Sequence, residues 1–213
     1  MLLVGMFDSP YVRRVAVSLR YLDIPFEHGN WSVGADFERI SAYSPLGRVP
    51  VLVMDDATVL VDSAAILDTV DELVGPGRSL LPTSGATRRE AQRLISLAIG
   101  AAEKAREQIH ERLVRPPEKY HAPWVERCRE QMHGALGLLE TACGRLGGDD
   151  WLVGGRYSQA DITVACIFTF LCDSLEVANR TTPYPSLSAF VERCEARPEF
   201  RQCYLRWFAA EMQ

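Results

Sequence analysis

Three short stretches carry side chains whose types and spacing could do chemistry: FDSPYVRRV at residues 7–15, GRVPV at 47–51 and VDSAAI at 61–66. In the first, Ser9 stands before a proline and a helical pattern. A nucleophilic serine needs a base, and His28, the only histidine ahead of His110, has no companion signature such as GxSxG. Covalent serine chemistry is set aside. Hydrogen-bond donation asks less: a hydroxyl donating to sulfur beside a helix N-terminus favours thiolate over a thiol of ordinary pKa near ~8.5. Lowering that pKa by ~2 units takes about 2.7 kcal/mol, within reach of one charge-favouring hydrogen bond and a helix dipole. Ser9 also suits a plain helix cap, and Pro10 suits the first turn, where its missing N–H costs nothing.

The other two stretches have double readings as well. Asp62 and Ser63 open a helical pattern, where backbone amides bind carboxylates and where Asp and Ser are common caps. Val49–Pro50 precedes a strand. A cis bond there would leave the Val49 backbone groups open, whereas a trans strand-start proline is the commoner arrangement. Arg48 could neutralise a carboxylate. Arg13–Arg14 is too short for a nucleic-acid patch, and an ion pair is its simpler role. Glu107 with His110, and Glu130 with His133, have the ExxH spacing of di-iron bundles. Yet each Glu lies about 200° around its helix from an apolar-seam residue, Ala105 or Cys128, so both point outward at ~100° per residue. No metal is expected.

The elements that must position these residues change character near residue 75. Before it, a strand over 2–7, a helix over 11–22 and a strand over 25–28 make a βαβ unit. Val12, Val15, Ala16, Leu19 and Leu22 form the helix's inward face. A less regular helix over 35–43, a hairpin of strands 51–54 and 58–61, and a helix over 63–74 follow, the last with Ile66, Leu67, Val70, Leu73 and Val74 inward. Residues 1–76 are therefore expected as one α/β domain, 77–86 as a Gly/Pro/Ser-rich linker and 87–213 as an all-helical domain.

In that second domain, a helix over 87–114 carries the seam Ala91, Ile95, Ala98, Ala102, Ala105, Ile109. A helix over 123–146 carries Val125, Cys128, Met132, Ala135, Leu139, Ala142, Leu146, and the two should pack antiparallel. The segment 158–171 is apolar on nearly every face from Ile162 onward and should run through the centre, started by Ser158 as cap, Asp161 in the capping box and a Tyr157–Ile162 staple. Helices over 187–196 and 199–211 complete the chain.

Bulk properties narrow the function classes. With 213 residues, 47% hydrophobic and 24% charged, the chain has the make-up of a folded globular protein. A net charge of −5 opposes binding to nucleic acid or anionic lipid. No stretch approaches the roughly 20 apolar residues of a membrane span. The N-terminus puts apolar residues before charges, the reverse of a secretory signal, which points to the cytoplasm. The six cysteines form no CxxC pair and read as reduced, core-filling thiols.

Layout and motifs together resemble the cytosolic glutathione S-transferases. FDSPYVRRV resembles the SPF-type motif of their serine-type plant and bacterial members, SPLGRVPVL their NPxGxVPxL motif, VDSAAI their acidic-residue-plus-Ser motif, and SQADI their SxAD capping box. The resemblance implies a thioredoxin-like α/β N-terminal domain with an all-α helical-bundle C-terminal domain. It implies a transferase that uses glutathione as co-substrate, with Ser9 holding the thiolate and no metal. Ser63 would take the γ-glutamyl carboxylate, Asp62 the ammonium, and a cis Val49–Pro50 the backbone of the glutathione cysteine; Arg48 would face the glycine carboxylate. Tyr11, Glu103 and Trp207 are candidates for the electrophile pocket between the domains, and a homodimer is implied. A cysteine at the Ser9 position would suit thiol-disulfide exchange, but the first cysteine here is Cys128. A non-catalytic ligand-binding or regulatory relative is the alternative. A glutathione-dependent isomerase is a minor one, since FDSPYVRR departs from the SSCSWR-like motif of the zeta-type isomerases.

Overall fold

The structure, a computed structural model, describes residues 1–148, 150–175, 177 and 184–208. Strand β1 (Leu2–Val4), helix α1 (Pro10–Tyr21), β2 (Glu27–Gly29), α2 (Phe37–Ser41), β3 (Val51–Val53), β4 (Val59–Val61) and α3 (Ser63–Val74) make the first domain. The sheet order is β2-β1-β3-β4, with β1 parallel to β2 and antiparallel to β3, and β3 antiparallel to β4. The second domain holds α4 (Gly85–Leu113), α5 (Ala122–Cys143), α6 (Gln159–Leu175), α7 (Pro185–Glu195) and α8 (Pro198–Gln202). The expected α/β module followed by an all-α module is thus present. No helix among the described residues is long and apolar enough to cross a membrane.

Helix α1 begins on Ser9, whose extended backbone and side-chain oxygen, 3.5 Å from the Val12 N–H, make it the cap. The expected inward face is buried, but so are Arg13, Arg14, Val17 and Ser18. The 3.6-residue period marks the face toward the sheet and α3; α6 covers the other, so α1 is enclosed for two turns. Such a helix cannot solvate its charges. Arg13 is accordingly paired: its guanidinium donates two bonds to Glu195 at 2.8 and 2.6 Å, one to the Cys203 carbonyl at 2.9 Å and one to the Phe200 carbonyl at 3.3 Å. Thr169 donates to the same Glu195 carboxylate. One side chain of α1 therefore gathers α6, α7 and the segment after α8.

The start of α6 matches its sequence reading. The Asp161 carboxylate accepts from the Ser158 backbone N–H and hydroxyl at 2.8 and 2.7 Å and from the Leu152 N–H at 2.8 Å, and Ser158 accepts from the Ala160 N–H. That capping box is wholly buried, as is α6 from Gln159 to Phe168. Across the domain boundary Ser18 donates to the Gln159 side chain at 2.9 Å. The segment between α3 and α4 is tied down as well: Asp71 accepts from the Leu80 and Leu81 N–H groups, and Leu80 is buried. Gly85 and Ala86, expected in the connection, are already the first residues of α4.

Other expectations need correction. Leu73 is 55% exposed, because the last turn of α3 runs past the elements that cover Ile66, Leu67 and Val70. Ile95 is only partly buried, and Leu94 takes its place in the seam. The helix expected over 199–211 stops at Gln202 in α8, after which residues 203–208 continue without helical structure; 209–211 lie outside the described residues. Cys128, Cys143, Cys166, Cys194 and Cys203 are buried free thiols.

The Arg13–Glu195 pair yields a stability prediction. Arg13→Met keeps most of the stem and leaves Glu195 without its cation, so urea unfolding should show a loss of about 3 kcal/mol, the scale of breaking a buried ion pair from one side. Wild-type stability in that variant would show that the pair does not hold the domains.

Candidate functional site

The sheet brings three backbone features to one edge. Gly5, just after β1 at φ 124°, leaves no room for a side chain: a Cβ there would lie 2.5 Å from Val12 and 2.8 Å from Val49. Its absence lets α1 and the loop before β3 close on each other. In that loop the Val49–Pro50 bond is cis. After β4 the chain turns sharply at Asp62, which has φ 72° and ψ 132°. A non-glycine residue in such a region costs roughly 1–3 kcal/mol and persists only where its surroundings fix it. Here Asp62 caps α3 by accepting the Ala64 N–H at 2.7 Å, and it aims the buried Ser63 and the first amides of a 12-residue helix at the same edge.

A cavity of about 380 Å³ opens at this edge, between the two domains. The first domain contributes Arg48, Val49, Pro50, Asp62 and Ser63; α1 contributes Tyr11 and Arg14; α4 contributes Ile95, Ser96, Ile99, Gly100 and Glu103. Most residues singled out in the sequence are therefore brought together. Ser9 is outside the lining, half-buried at the head of α1 and two residues before Tyr11. Its oxygen accepts from the helix, which leaves its O–H free to donate. Trp207 lies outside as well, its ring edge-on to Phe170 on α6 at 6.5 Å between centroids.

Arg14 is the residue that sequence reasoning undervalued. An ion pair was its expected role, yet no ion pair among the described residues includes it, and its Nε, sealed from water, has no hydrogen-bond partner among them. The residue is 3% exposed. Burial pushes its pKa down to about 10, partly offset by Cys166, Asp62 and Tyr11, so it remains a cation at neutral pH. The Tyr11 hydroxyl is also sealed and unpartnered among the described residues. Burial and the Glu103 carboxylate push its pKa up to about 12, which keeps it a hydrogen-bond donor. Beside Ser9, burial raises the Asp8 carboxyl above its ordinary value.

The arrangement can hold a zwitterionic, multiply charged small molecule. Arg14, Arg48 and the α3 amides suit anionic groups, and Asp62 suits an ammonium. No group of three or more His, Cys, Asp or Glu side chains close enough to hold a metal ion is found among the described residues. Sequence reasoning placed Glu103 of α4 in this wall but missed Ser96 and Gly100, whose signal was a periodic row shared with Glu103 and offset from the alanine seam.

Comparison with known proteins bears on this geometry. Residues 3–78 match the model described as glutathione S-transferase, N-terminal domain, and residues 103–198 the one described as glutathione S-transferase, C-terminal domain. The chain is 28% identical over 200 residues to the uncharacterized GST-like protein YibF of Escherichia coli strain K12, covering 94% of this chain and 96% of that one. It is 29% identical over 160 residues to the glutathione S-transferase GstA of E. coli O157:H7, covering 74% and 73%. A solved glutathione S-transferase from Methylobacterium radiotolerans, in complex with glutathione sulfonate, superposes with a TM-score of 0.87 at 27% identity, over 98% of this chain and 97% of that one.

The two adjacent arginines should respond oppositely to one substitution. Arg14→Met removes a buried cation and orphans no ion-paired anion among the described residues, so urea unfolding of the ligand-free protein should show stability at or above wild type. A loss as large as that of Arg13→Met would mean that Arg14 is already compensated.

Proposed function

The chain belongs to the glutathione S-transferase superfamily, and we propose that it is a glutathione transferase, joining the thiolate of glutathione to a small, largely apolar electrophile. The observation that carries this reading is one cavity shared by Val49–Pro50, the N-terminus of α3 and Arg14, which has no ion pair among the described residues. The relative with glutathione sulfonate bound supports the same ligand class.

Each part of the tripeptide has a partner of matching chemistry. The γ-glutamyl carboxylate takes the Ser63 hydroxyl and the first amides of α3, and Asp62 takes the ammonium. The Val49 backbone pairs with the cysteinyl backbone, and Arg48 faces the glycine carboxylate. This places the thiol toward the head of α1. There the Ser9 O–H donates to sulfur, and the helix N-terminus and Arg14 add positive potential. A unit charge held about 6 Å from the sulfur would contribute about 2.8 kcal/mol at an effective dielectric of ~20, as much as a two-unit fall in thiol pKa needs. The thiol proton passes to solvent. Sulfur then forms a bond to the electrophilic carbon, and the leaving group departs with its bonding pair.

Serine is not consumed in this scheme and no base is needed on the protein. The motif resemblance extends the reading to a cytoplasmic homodimer in which the first domain of each copy faces the second domain of the other.

The test combines glutathione binding with conjugation of 1-chloro-2,4-dinitrobenzene across pH. In Ser9→Ala the thiol loses a donor, so its pKa in the complex rises. The kcat/KM midpoint should move up by about 1–2 pH units, with a 10- to 100-fold loss at pH 6.5 that narrows at high pH. Failure of the wild type to bind glutathione would overturn the function, and equal profiles for both proteins would overturn the role of Ser9.

A further inference from the structure

Gly100 stands in the interior of the 29-residue α4, where glycine costs about 1 kcal/mol relative to alanine. Its backbone gives no reason for that choice. It does not adopt a positive φ, and a Cβ built on it would meet nothing within 4 Å. Gly134 and Gly137 on α5 share that freedom, but among these three only Gly100 lines the interdomain cavity. The space its missing side chain leaves is therefore cavity space. Ser96 and Glu103 line the same cavity four residues before and three after it, so they share its helix face. Ile95 and Ile99 form the adjoining aliphatic row.

Resting on the glutathione reading above, we infer that Gly100 is the specificity-determining residue of the electrophile subsite, and that its bare backbone is the floor on which a flat, uncharged aryl group lies. The flanking isoleucines supply apolar edges for a ring, and the missing Cβ lets the ring approach the peptide plane. Glu103, exposed at the end of the row, disfavours a carboxylated or sulfonated ring there, since like charge raises the cost of entry. The first-domain wall opposite is occupied by the charged groups that glutathione uses. Substrate width is thus decided on α4, at a position where a larger side chain fits the helix and fills only the cavity.

Calorimetric affinities for S-methylglutathione and S-benzylglutathione test this without requiring turnover, since both carry the same tripeptide and differ in the group presented to α4. The wild type should prefer the benzyl ligand by 10-fold or more. Gly100→Ala should cut that preference at least threefold while raising the melting temperature, and Gly100→Leu should abolish it, with S-methylglutathione still bound. The alanine variant suits a helix interior, so the test survives if the leucine variant does not fold. An unchanged benzyl preference in Gly100→Ala overturns the subsite and leaves the transferase reading standing. If the wild type binds neither ligand, the transferase reading falls and the subsite with it.

Discussion

The enclosure of α1 is the constraint on which the rest depends. A helix packed between a sheet and a second domain has no solvated face, yet this one carries two consecutive arginines, about 100° apart around its axis. Both are 3% exposed. Burial of an uncompensated guanidinium is costly, so each must be answered by the protein or by something else. Arg13 turns toward α7 and finds a carboxylate and two carbonyls, which fixes the second domain against the first. Arg14 turns toward the cavity and finds no carboxylate among the described residues within ion-pair reach. The same helix thus anchors the interdomain geometry with one charge and offers the other at its edge. A shift of α1 that misplaced the first would also misplace the second.

Backbone, more than side chains, completes the site. Gly5 permits α1 and the Val49 loop to approach, β3 and β4 bring that loop beside the turn at Asp62, and the turn aims the α3 amides at the same opening. The unfavourable dihedrals of Asp62 make sense on this view. A relaxed turn would point the start of α3 elsewhere, and the strain is met by the cap to Ala64 and the strand pairing before it.

What the sequence made legible follows from locality. The capping box at Ser158–Asp161, the hairpin around Asp55–Asp56 and the apolar run of α6 are written in neighbouring residues, and each stands in the structure as read. Convergence of Val49, Pro50, Asp62 and Ser63 was legible through order and motif, because a four-stranded sheet leaves few ways to arrange them. Nonlocal contacts were not. Nothing in RR says which arginine meets Glu195, 182 residues away in the chain. Nor does periodicity reveal that α1 is covered twice, that Leu73 overhangs its neighbours, or that residues 203–208 are not helical. Trp207 and Tyr11 look alike as aromatic candidates in sequence, and only packing separates the one against Phe170 from the one beside Glu103.

Helix α4 shows why the two domains differ in how freely they can change. Its seam of Ala91, Ala98, Ala101, Ala102 and Ala105 lies fully buried against α5 and α6, where any added methyl would force the helices apart. Its other row, Ser96, Gly100 and Glu103, faces open space. The first-domain wall is fixed by one ligand's charges and by backbone geometry that few residues can adopt. Changes that remodel the pocket without unfolding the protein are therefore confined to the α4 row and to Tyr11. A fold built this way can hold its tripeptide site constant and alter the opposite wall one residue at a time, with helix propensity as the only other quantity disturbed.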